Sequence, residues 1–172
     1  MEGSKTRFRI AVDASVLIDL KDGCLLNSFF KLDAAIFISD AQLSEVSKKN
    51  DIDINYLINS GAQKVSFDGR TISAIYDMSH QNPRLSVYDI MALFAATETN
   101  SILLTGDSNL KKLATTQTIE CHGTLWLLEK MVAENIISKT EASVALQKMK
   151  SAGSYFPENI VNKFLDLWQK ND

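Results

Sequence analysis

Apolar residues occur along the chain in short uninterrupted runs that alternate with longer segments of helical spacing. The short runs predict buried strands, and the longer segments, with apolar positions three or four residues apart, predict helices. Strands are predicted over residues 7–12, 34–38, 63–67 and 101–104, with a short edge strand over 119–121. Helices are predicted over residues 13–20, 25–32, 39–49, 55–59, 71–79, 86–98 and 108–114. Alternating strands and helices require crossover connections, which predicts an α/β fold with a mostly parallel sheet of four or five strands.

The C-terminal part of the chain carries helical patterns alone, over residues 124–135, 139–152 and 157–169. We therefore predict an α/β domain over residues 1–122, followed by a C-terminal helical extension over residues 123–172 that packs on the same unit. The apolar residues of the last segment share one helical face: Ile160, Val161, Phe164, Leu167 and Trp168. This face either packs on the core, which is the interpretation we favour, or contacts a partner.

Composition fits a soluble α/β protein. The chain has 172 residues, of which 45% are hydrophobic, and its 7 Gly and 2 Pro argue against disorder and against a turn-rich all-β fold. No apolar run approaches the roughly 18 to 20 residues that span a bilayer, and no signal peptide is recognised, so a cytoplasmic protein without a membrane partner is expected. Cys24 and Cys121 are too few for a disulfide framework and are predicted to be free, mostly buried thiols.

The charge of the chain limits the kind of nucleic-acid protein it can be. A net charge of −3 and a pI of about 5.4 count against a simple nucleic-acid-binding protein, which carries a basic face. A nuclease is compatible with these values, because clustered carboxylates lower the net charge and bound cations restore it locally. Local lysines and arginines would then steer an anionic substrate.

Two aspartates follow predicted strands and precede predicted helices. Asp13 comes directly after the apolar residues 10–12, and Asp107 closely follows residues 102–104. Ligands of open parallel sheets bind beyond the carboxyl ends of the strands, so these two side chains are candidates for one site. Because aspartate is also a favoured N-cap, capping of the following helix is the leading alternative for each residue taken alone.

Two further acidic residues lie within predicted helices. Asp89 has capping-box spacing from Ser86, but its helix is apolar on nearly every side and is expected to be buried. A carboxylate at the edge of such a helix is paired, capping or bound to a metal ion. Glu45 lies in the helix that follows the second strand, where solvent exposure is the common alternative.

Polar neighbours are suited to support such a site. The hydroxyls of Ser15 and Thr105 and the side-chain carbonyl of Asn109 lie close in sequence to the two strand-end aspartates. They suit a carboxylate, a metal ion or its water, although local capping is the alternative for all three. If the fold gathers the carboxylates, their charge requires a divalent cation, and oxygen ligands suit Mg²⁺ or Mn²⁺. The pattern then indicates a metal-dependent hydrolase and, among hydrolases, a nuclease.

Four short motifs around these residues resemble those of PIN domains. Residues 11–18 (AVDASVLI) resemble the opening motif, an apolar strand ending in D-x-S, and residues 43–46 (LSEV) resemble the segment with a single helical Glu. Residues 85–92 (LSVYDIMA) resemble the motif in which Asp opens an alanine-rich helix, and residues 103–107 (LLTGD) resemble the L-x-T-x-D motif. The resemblance covers residues 7–122, and the tail from Gly123 resembles a branch of prokaryotic PIN proteins with extra C-terminal helices.

The resemblance implies a three-layer PIN-like fold and a ribonuclease that depends on Mg²⁺ or Mn²⁺. It implies that Asp13, Glu45, Asp89 and Asp107 hold the cation or its waters, and that cleavage leaves a 5′-phosphate and a 3′-hydroxyl. Many relatives are toxins of the VapC type, held inactive by a small antitoxin and often dimeric, so an antitoxin partner and a homodimer are expected. The family motifs fix no RNA-binding residues; the candidates are Lys48, Lys49, Arg84, Lys111 and Lys112.

Two other classes of protein stay open at this point. The chain could be a catalytically silent PIN-like module that binds nucleic acid or protein, since its pI is acidic and no basic patch is evident. A response-regulator receiver domain also gathers acidic residues at strand ends. However, the sequence offers no arrangement of a phospho-acceptor Asp and a Lys at matching strand ends.

Overall fold

A parallel sheet of five strands forms the centre of the molecule. The structure, a computed structural model, describes residues 8–169. The strands are β1 (Phe8–Val12), β2 (Ala34–Ser39), β3 (Ala62–Val65), β4 (Ile102–Leu104) and β5 (Cys121–His122). They lie in the order β3-β2-β1-β4-β5, and every neighbouring pair is parallel. The central strand is therefore β1, in which Ile10 pairs with Ile36 on one side and with Ile102 on the other.

Helices connect the strands and continue beyond the last of them. They are α1 (Ala14–Asp22), α2 (Leu26–Phe29), α3 (Asp40–Asn50), α4 (Ile54–Asn59), α5 (Gly69–Gln81), α6 (Val87–Glu98), α7 (Ser108–Thr116), α8 (Thr124–Ala133), α9 (Lys139–Ala152) and α10 (Glu158–Gln169). None of the helices in the described range is both long enough and apolar enough to cross a membrane. Arg7, the predicted first residue of β1, lies outside the described residues.

Helices cover both faces of the sheet, so the molecule has three layers, and the predicted α/β fold is confirmed. Ile10 and Val12 belong to one core cluster, which includes side chains of α1, α3, α8 and α9. Ala11, between them, belongs to a second cluster with side chains of α5, α6 and α7. This alternation is expected, because successive residues of a strand face opposite sides of the sheet.

The helices of the C-terminal extension share the first of these clusters. Val161 and Trp168 of α10 are buried in the same cluster as Ile10 of the central strand. Ile160 and Leu167 of the same helix are 39% and 47% exposed. The predicted apolar face of α10 is therefore divided between the core and the surface. The domain boundary at residues 122 and 123 stays a prediction, since the core extends across it.

The structure departs from the sequence prediction near Cys24. The pattern predicts a helix over residues 25–32, but only Leu26–Phe29 is helical. Cys24 adopts a left-handed backbone conformation with φ of 59°, and the Leu25 N–H donates to the Leu20 carbonyl, which ends α1. The side chain of Cys24 is exposed, so the predicted burial of this thiol is wrong.

The two edge strands also differ from the prediction. β3 ends at Val65, before the predicted end at residue 67, and β5 comprises Cys121 and His122 instead of residues 119–121. An edge strand has a partner on one side only, so its limits depend on a register that the local pattern does not reveal. Cys121 is half-buried, and burial raises the pKa of its thiol to about 11.

Candidate active site at the carboxyl edge of the sheet

Asp13 is a buried carboxylate at the carboxyl end of the central strand. Its backbone N–H donates to the Leu104 carbonyl at 2.9 Å, which continues the pairing of β1 with β4 by one residue. Asp13 has the extended backbone of an N-cap, with φ of −78° and ψ of 151°, but its side chain makes no capping hydrogen bond to α1. The side chain is free for other partners, and capping does not explain its presence at this position.

Three side chains from three segments hold the Asp13 carboxylate. Ser15 Oγ and Thr105 Oγ1 donate to Oδ2 at 2.6 and 2.8 Å, and Gln42 Nε2 donates to Oδ1 at 2.9 Å. Asp13 is 3% exposed, so these bonds replace water as its hydrogen-bond donors. The predicted supporting positions Ser15 and Thr105 therefore bond directly to Asp13.

Burial raises the pKa of Asp13 to about 6, against an ordinary value of 3.8. The hydroxyl bonds from Ser15 and Thr105 oppose this shift, and the negative charge of Asp89 adds to it. The influence of Asp89 shows that the two carboxylates lie within electrostatic reach of each other. At neutral pH Asp13 is mostly ionised, at a cost in free energy that a nearby cation would remove.

The segment after β4 is tied to the segment after β1 by the same hydroxyls. Ser15 Oγ accepts from the Gly106 N–H at 3.0 Å, and Thr105 Oγ1 accepts from the Asp107 N–H at 3.0 Å. These bonds fix the backbone of Asp107 relative to the side chain of Asp13.

Asp107 is the N-cap of α7, as the capping alternative predicts. Its Oδ1 accepts from the N–H groups of Asn109 and Leu110, both at 2.8 Å. Within residues 8–169, its Oδ2 makes no hydrogen bond. The two oxygens of Asp107 therefore have different roles: Oδ1 caps α7, and Oδ2 is free for a ligand.

Asp89 forms the predicted capping box with Ser86. Its Oδ2 accepts from the backbone N–H and from the hydroxyl of Ser86, at 2.7 and 2.8 Å, and its own N–H donates to Ser86 Oγ at 3.1 Å. In the described part of the chain, Oδ1 is without a hydrogen bond. Burial raises the pKa of Asp89, the bonds from Ser86 oppose the shift, and the charges of Asp107 and Glu45 add to it. Asp89 is thus the electrostatic link between the other acidic residues.

Glu45 lies on α3 and is less exposed than an isolated helical glutamate. Its side chain is 18% exposed, and Oε1 accepts from Lys49 Nζ at 2.8 Å. Lys49 Nζ also lies 5.7 Å from the centre of the Tyr88 ring, next to Asp89 in sequence. Lys49 is therefore an ion-pair partner of Glu45, and its role as a candidate RNA contact stays a prediction.

Gln42 belongs to the site although the sequence suggests only a capping role. Ser39 Oγ accepts from the Gln42 N–H at 3.2 Å, which is the predicted cap of α3. The Gln42 side chain does not complete the box, because its amide donates to Asp13 and its Oε1 accepts from Ser39 Oγ. Gln42 is fully buried at the edge of the sheet. The only sequence signal for this role is an amide in the first turn of a helix that follows a buried strand.

The candidate substrate-binding residues are not all in one place. Arg84, Lys112 and Asn109 line a single groove beside α7. Lys111 lies against the start of α8 instead, since a β-carbon at Gly123 would be 2.8 Å from its Nζ. Asn109 donates its backbone N–H to the Asp107 cap, and its own side chain makes no hydrogen bond among the described residues, so that side chain is available.

The acidic residues do not form a ready-made set of metal ligands. Within residues 8–169, no group of three or more His, Cys, Asp or Glu side chains is arranged to hold a metal ion. Hydrogen bonds and an ion pair also occupy several of the carboxylate oxygens. Both oxygens of Asp13 are bonded, Glu45 is paired with Lys49, and Asp89 and Asp107 each commit one oxygen to a helix cap.

The donor chemistry of these residues nevertheless fits a hard divalent cation. Asp89 and Asp107 each retain a free oxygen, and in the described range none of Asp13, Asp89 and Asp107 forms an ion pair. Mg²⁺ keeps several of its waters in protein sites and is held by one or two carboxylates, so it does not require three direct ligands. The residues present therefore suit a cation bound in part through water.

Comparison with known proteins gives a family match and some similar solved structures. A family model described as a PIN domain matches residues 9–170. One similar solved structure is a PilT N-terminus domain protein, SSO1118, from the archaeon Sulfolobus solfataricus P2, with 17% identity and a TM-score of 0.48 over 73% of this chain and 93% of that one. Another is PAE2754 from Pyrobaculum aerophilum, with 18% identity and a TM-score of 0.49 over 77% and 94%. The curated proteins contain no match to the chain.

Proposed function

The chain belongs to the PIN domain family, whose fold is of a nuclease type, and on this premise we propose that it is an endoribonuclease that requires Mg²⁺ or Mn²⁺. The proposed reaction is hydrolysis of an RNA phosphodiester bond to a 5′-phosphate and a 3′-hydroxyl. The family match covers the C-terminal helices as well as the sheet. The proposal therefore concerns the whole described chain.

One observation carries this proposal. Asp13 is a buried, mostly ionised carboxylate at the end of the central strand, within electrostatic reach of Asp89, and no Lys or Arg of the described chain is paired with either. Two carboxylates that lie within reach of each other, neither of them paired with a cationic side chain, lose stability through their repulsion. Binding of a divalent cation would remove that loss, which supports the proposal.

The residues have separate roles in the proposed reaction. Asp13, Asp89 and Asp107 would hold the cation or its waters, and Glu45 would complete the shell once Lys49 moves away. When bound, the cation supplies charge neutralisation at the scissile phosphate and activation of water.

Ser15, Thr105 and Gln42 are positioning residues. Their three hydrogen bonds fix both oxygens of Asp13, so its orientation does not depend on the cation. A carboxylate that is already oriented needs no reorganisation when charge develops during the reaction. Loss of one of these bonds would therefore weaken cleavage without removing a cation ligand.

Incubation of purified protein with a mixture of RNAs, with and without Mn²⁺, tests the proposal. We expect Mn²⁺-dependent fragments with the unmodified protein and none with Asp13→Asn. Asp77→Asn is the matched control, because it makes the same chemical change at an exposed position on α5. The control should cleave as the unmodified protein does, and cleavage by Asp13→Asn at the same rate would overturn the proposal.

A catalytically silent binding module is the second candidate. The observation that favours it is the lack of three side chains arranged for a metal ion within residues 8–169. The same experiment separates the two functions if RNA retention is recorded beside cleavage. RNA that binds to the unmodified protein and to Asp13→Asn, without fragments at any Mn²⁺ concentration, would identify a binding module.

We also propose a protein partner, a small antitoxin or a second copy of the chain, on the exposed part of α10. Ile160 and Leu167 are apolar and more than one third exposed. Their replacement by lysine would leave Val161 and Trp168 in the core. Light scattering of the unmodified protein and of Ile160→Lys/Leu167→Lys tests the proposal. If the unmodified chain is a homodimer, the doubly substituted protein should have a lower molar mass. If the unmodified protein and the doubly substituted protein are both monomers, the antitoxin is the one proposed partner that remains.

A further inference from the structure

A groove of about 430 Å³ lies beside the acidic cluster, between the turn that joins α5 to α6 and the outer side of α7. Both of its walls contribute charged, amide and apolar side chains, which include Asn82, Arg84, Leu85, Asn109, Lys112 and Leu113. Pro83 disfavours helical geometry at the preceding residue, so the chain turns here and α5 and α6 are separate helices. The groove is therefore a consequence of that break.

The groove is a local positive region on a chain of net charge −3. Arg84 and Lys112 come from opposite walls and are both exposed, and no acidic residue is among its described lining residues. A second groove, of about 480 Å³, is lined in part by Asp107 itself. Its described lining includes Asp19 and Asp22 as well as Asp107, and no lysine or arginine. Of the two grooves, only the first favours an anion.

The positive groove is lined by residues next in sequence or in hydrogen bonding to the segments that carry Asp89 and Asp107. Leu85 on one wall precedes Ser86, which forms the capping box with Asp89. Asn109 on the other wall donates its backbone N–H to Oδ1 of Asp107. The groove therefore adjoins the segments that carry these two aspartates, and the proposal below places the substrate across both.

The chemistry of the lining fits a sugar–phosphate backbone. The guanidinium of Arg84 can donate two parallel hydrogen bonds to a phosphate, and the ammonium of Lys112 supplies a point charge. The Asn109 amide makes no hydrogen bond within residues 8–169, so it is free to bond a ribose hydroxyl or a base edge. Leu113 is partly exposed and gives an apolar surface against which a ribose or base can pack, whereas Leu85 is buried beneath the groove.

We propose that this groove binds the phosphodiester backbone of a single-stranded RNA substrate, with Arg84 and Lys112 each contacting a phosphate and Asn109 contacting a ribose or base. The inference rests on the proposed function, which it deepens by assigning the path of the substrate. Single-stranded RNA is favoured because an open groove with free amide groups can reach unpaired bases. An acidic protein segment is the competing occupant.

RNA binding without cleavage tests this assignment. The probe is a fluorescein-labelled single-stranded RNA of mixed sequence, titrated with Asp13→Asn protein in EDTA at several salt concentrations and followed by fluorescence anisotropy. In that background we compare Arg84→Gln, Lys112→Gln and the double substitution. Lys64→Gln and Lys150→Gln are matched controls, since each removes one positive charge from an exposed position on β3 or α9.

We expect the two groove substitutions to weaken RNA binding several-fold each and the controls to leave it unchanged. The slope of log Kd against log salt should fall by about 0.7 for each phosphate contact removed. Circular dichroism melting of each variant checks that the fold is retained. Equal affinity of the double variant and its background would overturn the assignment, as would an equal loss in the controls.

Two further outcomes separate this inference from the proposed function. Mn²⁺-dependent cleavage by the unmodified protein, together with unchanged RNA binding by the double variant, would overturn the groove and leave the ribonuclease standing. A loss of RNA affinity in the double variant, with no cleavage by the unmodified protein, would support the groove and overturn hydrolysis. Binding of polyglutamate through Arg84 and Lys112, with no RNA binding, would overturn the assignment in favour of an acidic protein segment.

Discussion

At the scale of single residues, Asp13 has the largest influence on the energetics of the site. Its pKa of about 6 in the folded chain is above the ordinary value of 3.8 because the carboxylate is buried. The protonated form of Asp13 therefore stabilises the fold relative to the ionised form. This contribution is fully present below pH 3.8 and is lost as the pH rises through about 6.

The free energy of unfolding of the unmodified protein should thus fall across this range by about 3 kcal/mol more than that of Asp13→Asn. Asparagine stays neutral and is of similar size, so the variant should be as stable as the unmodified protein, or more stable, above pH 6. Urea unfolding in EDTA at a series of pH values measures both curves. Asp19 also has a raised pKa, but it is present in both proteins and its contribution cancels in the difference. Asp89 is electrostatically coupled to Asp13, so the loss of that coupling in Asp13→Asn is part of the measured difference.

A difference curve that is flat between pH 4 and pH 7 would contradict the buried-charge account. So would an Asp13→Asn variant that is strongly destabilised at pH 7.5. That second result would mean that the hydrogen bonds from Gln42, Ser15 and Thr105 outweigh the cost of burying the charge.

At the scale of elements, the acidic residues differ in how far their surroundings could be predicted. The capping roles of Asp89 and Asp107 are local, within three residues of each side chain, and the sequence predicts both. Asp13 has the same local signals but does not cap, because its partners come from α3 and from the end of β4. Whether Asp13 caps α1 or bonds to these partners depends on the register of β1 against the neighbouring strands. A local sequence pattern does not determine that register.

The same reasoning explains why the sequence does not reveal Gln42. Its capping-box position is a local signal, whereas its bond to Asp13 requires β1 and β2 to be adjacent and parallel. The order of strands and helices follows from apolar runs and was predictable. The strand neighbours were not, since the same alternation of elements is compatible with several strand orders.

The dual use of Asp107 predicts a separation of stability from function. Asn is as good an N-cap as Asp, so Asp107→Asn should change the free energy of unfolding by less than about 0.5 kcal/mol in the absence of metal. It should nevertheless lose most Mn²⁺-dependent cleavage, because the free oxygen no longer carries a charge. Thermal melting in EDTA and the RNA assay measure the two effects.

Asp68→Asn is the matched control for this substitution. Asp68 caps α5 by accepting from the Thr71 N–H at 2.7 Å, and it is exposed. It makes the same kind of cap away from the acidic cluster. Cleavage should be unaffected in this variant. Equal losses of activity in Asp68→Asn and Asp107→Asn would mean that the loss of cleavage comes from altered helix capping and not from the missing charge at Asp107.

At the scale of the whole molecule, the C-terminal helices are part of the core that supports the site. Asp19 of α1 accepts hydrogen bonds from Thr124 Oγ1 at 2.5 Å and from Ser154 Oγ at 2.6 Å. These bonds join the helix that follows Asp13 to the start of α8 and to the turn before α10. Removal of residues 154–172 would therefore take away core side chains together with any partner surface.

Single substitutions on α10 separate these contributions. Trp168 is 5% exposed, so Trp168→Ala should lower the free energy of unfolding by about 3–5 kcal/mol. Leu167 is 47% exposed, and Leu167→Ala should change it by less than about 1 kcal/mol. Chemical unfolding of both variants checks the prediction. Similar losses at the two positions would contradict the packing of α10 on the core.

Thermal melting of the unmodified protein and of Asp107→Asn, with and without millimolar Mn²⁺, tests most directly whether the acidic edge of the sheet binds a divalent cation. At a cation concentration near one hundred times the Kd, the melting temperature of the unmodified protein should rise by about 5 to 10 °C. That of Asp107→Asn should rise much less. The absence of any shift in the unmodified protein, or an equal shift in both, would contradict a cation site built from these carboxylates.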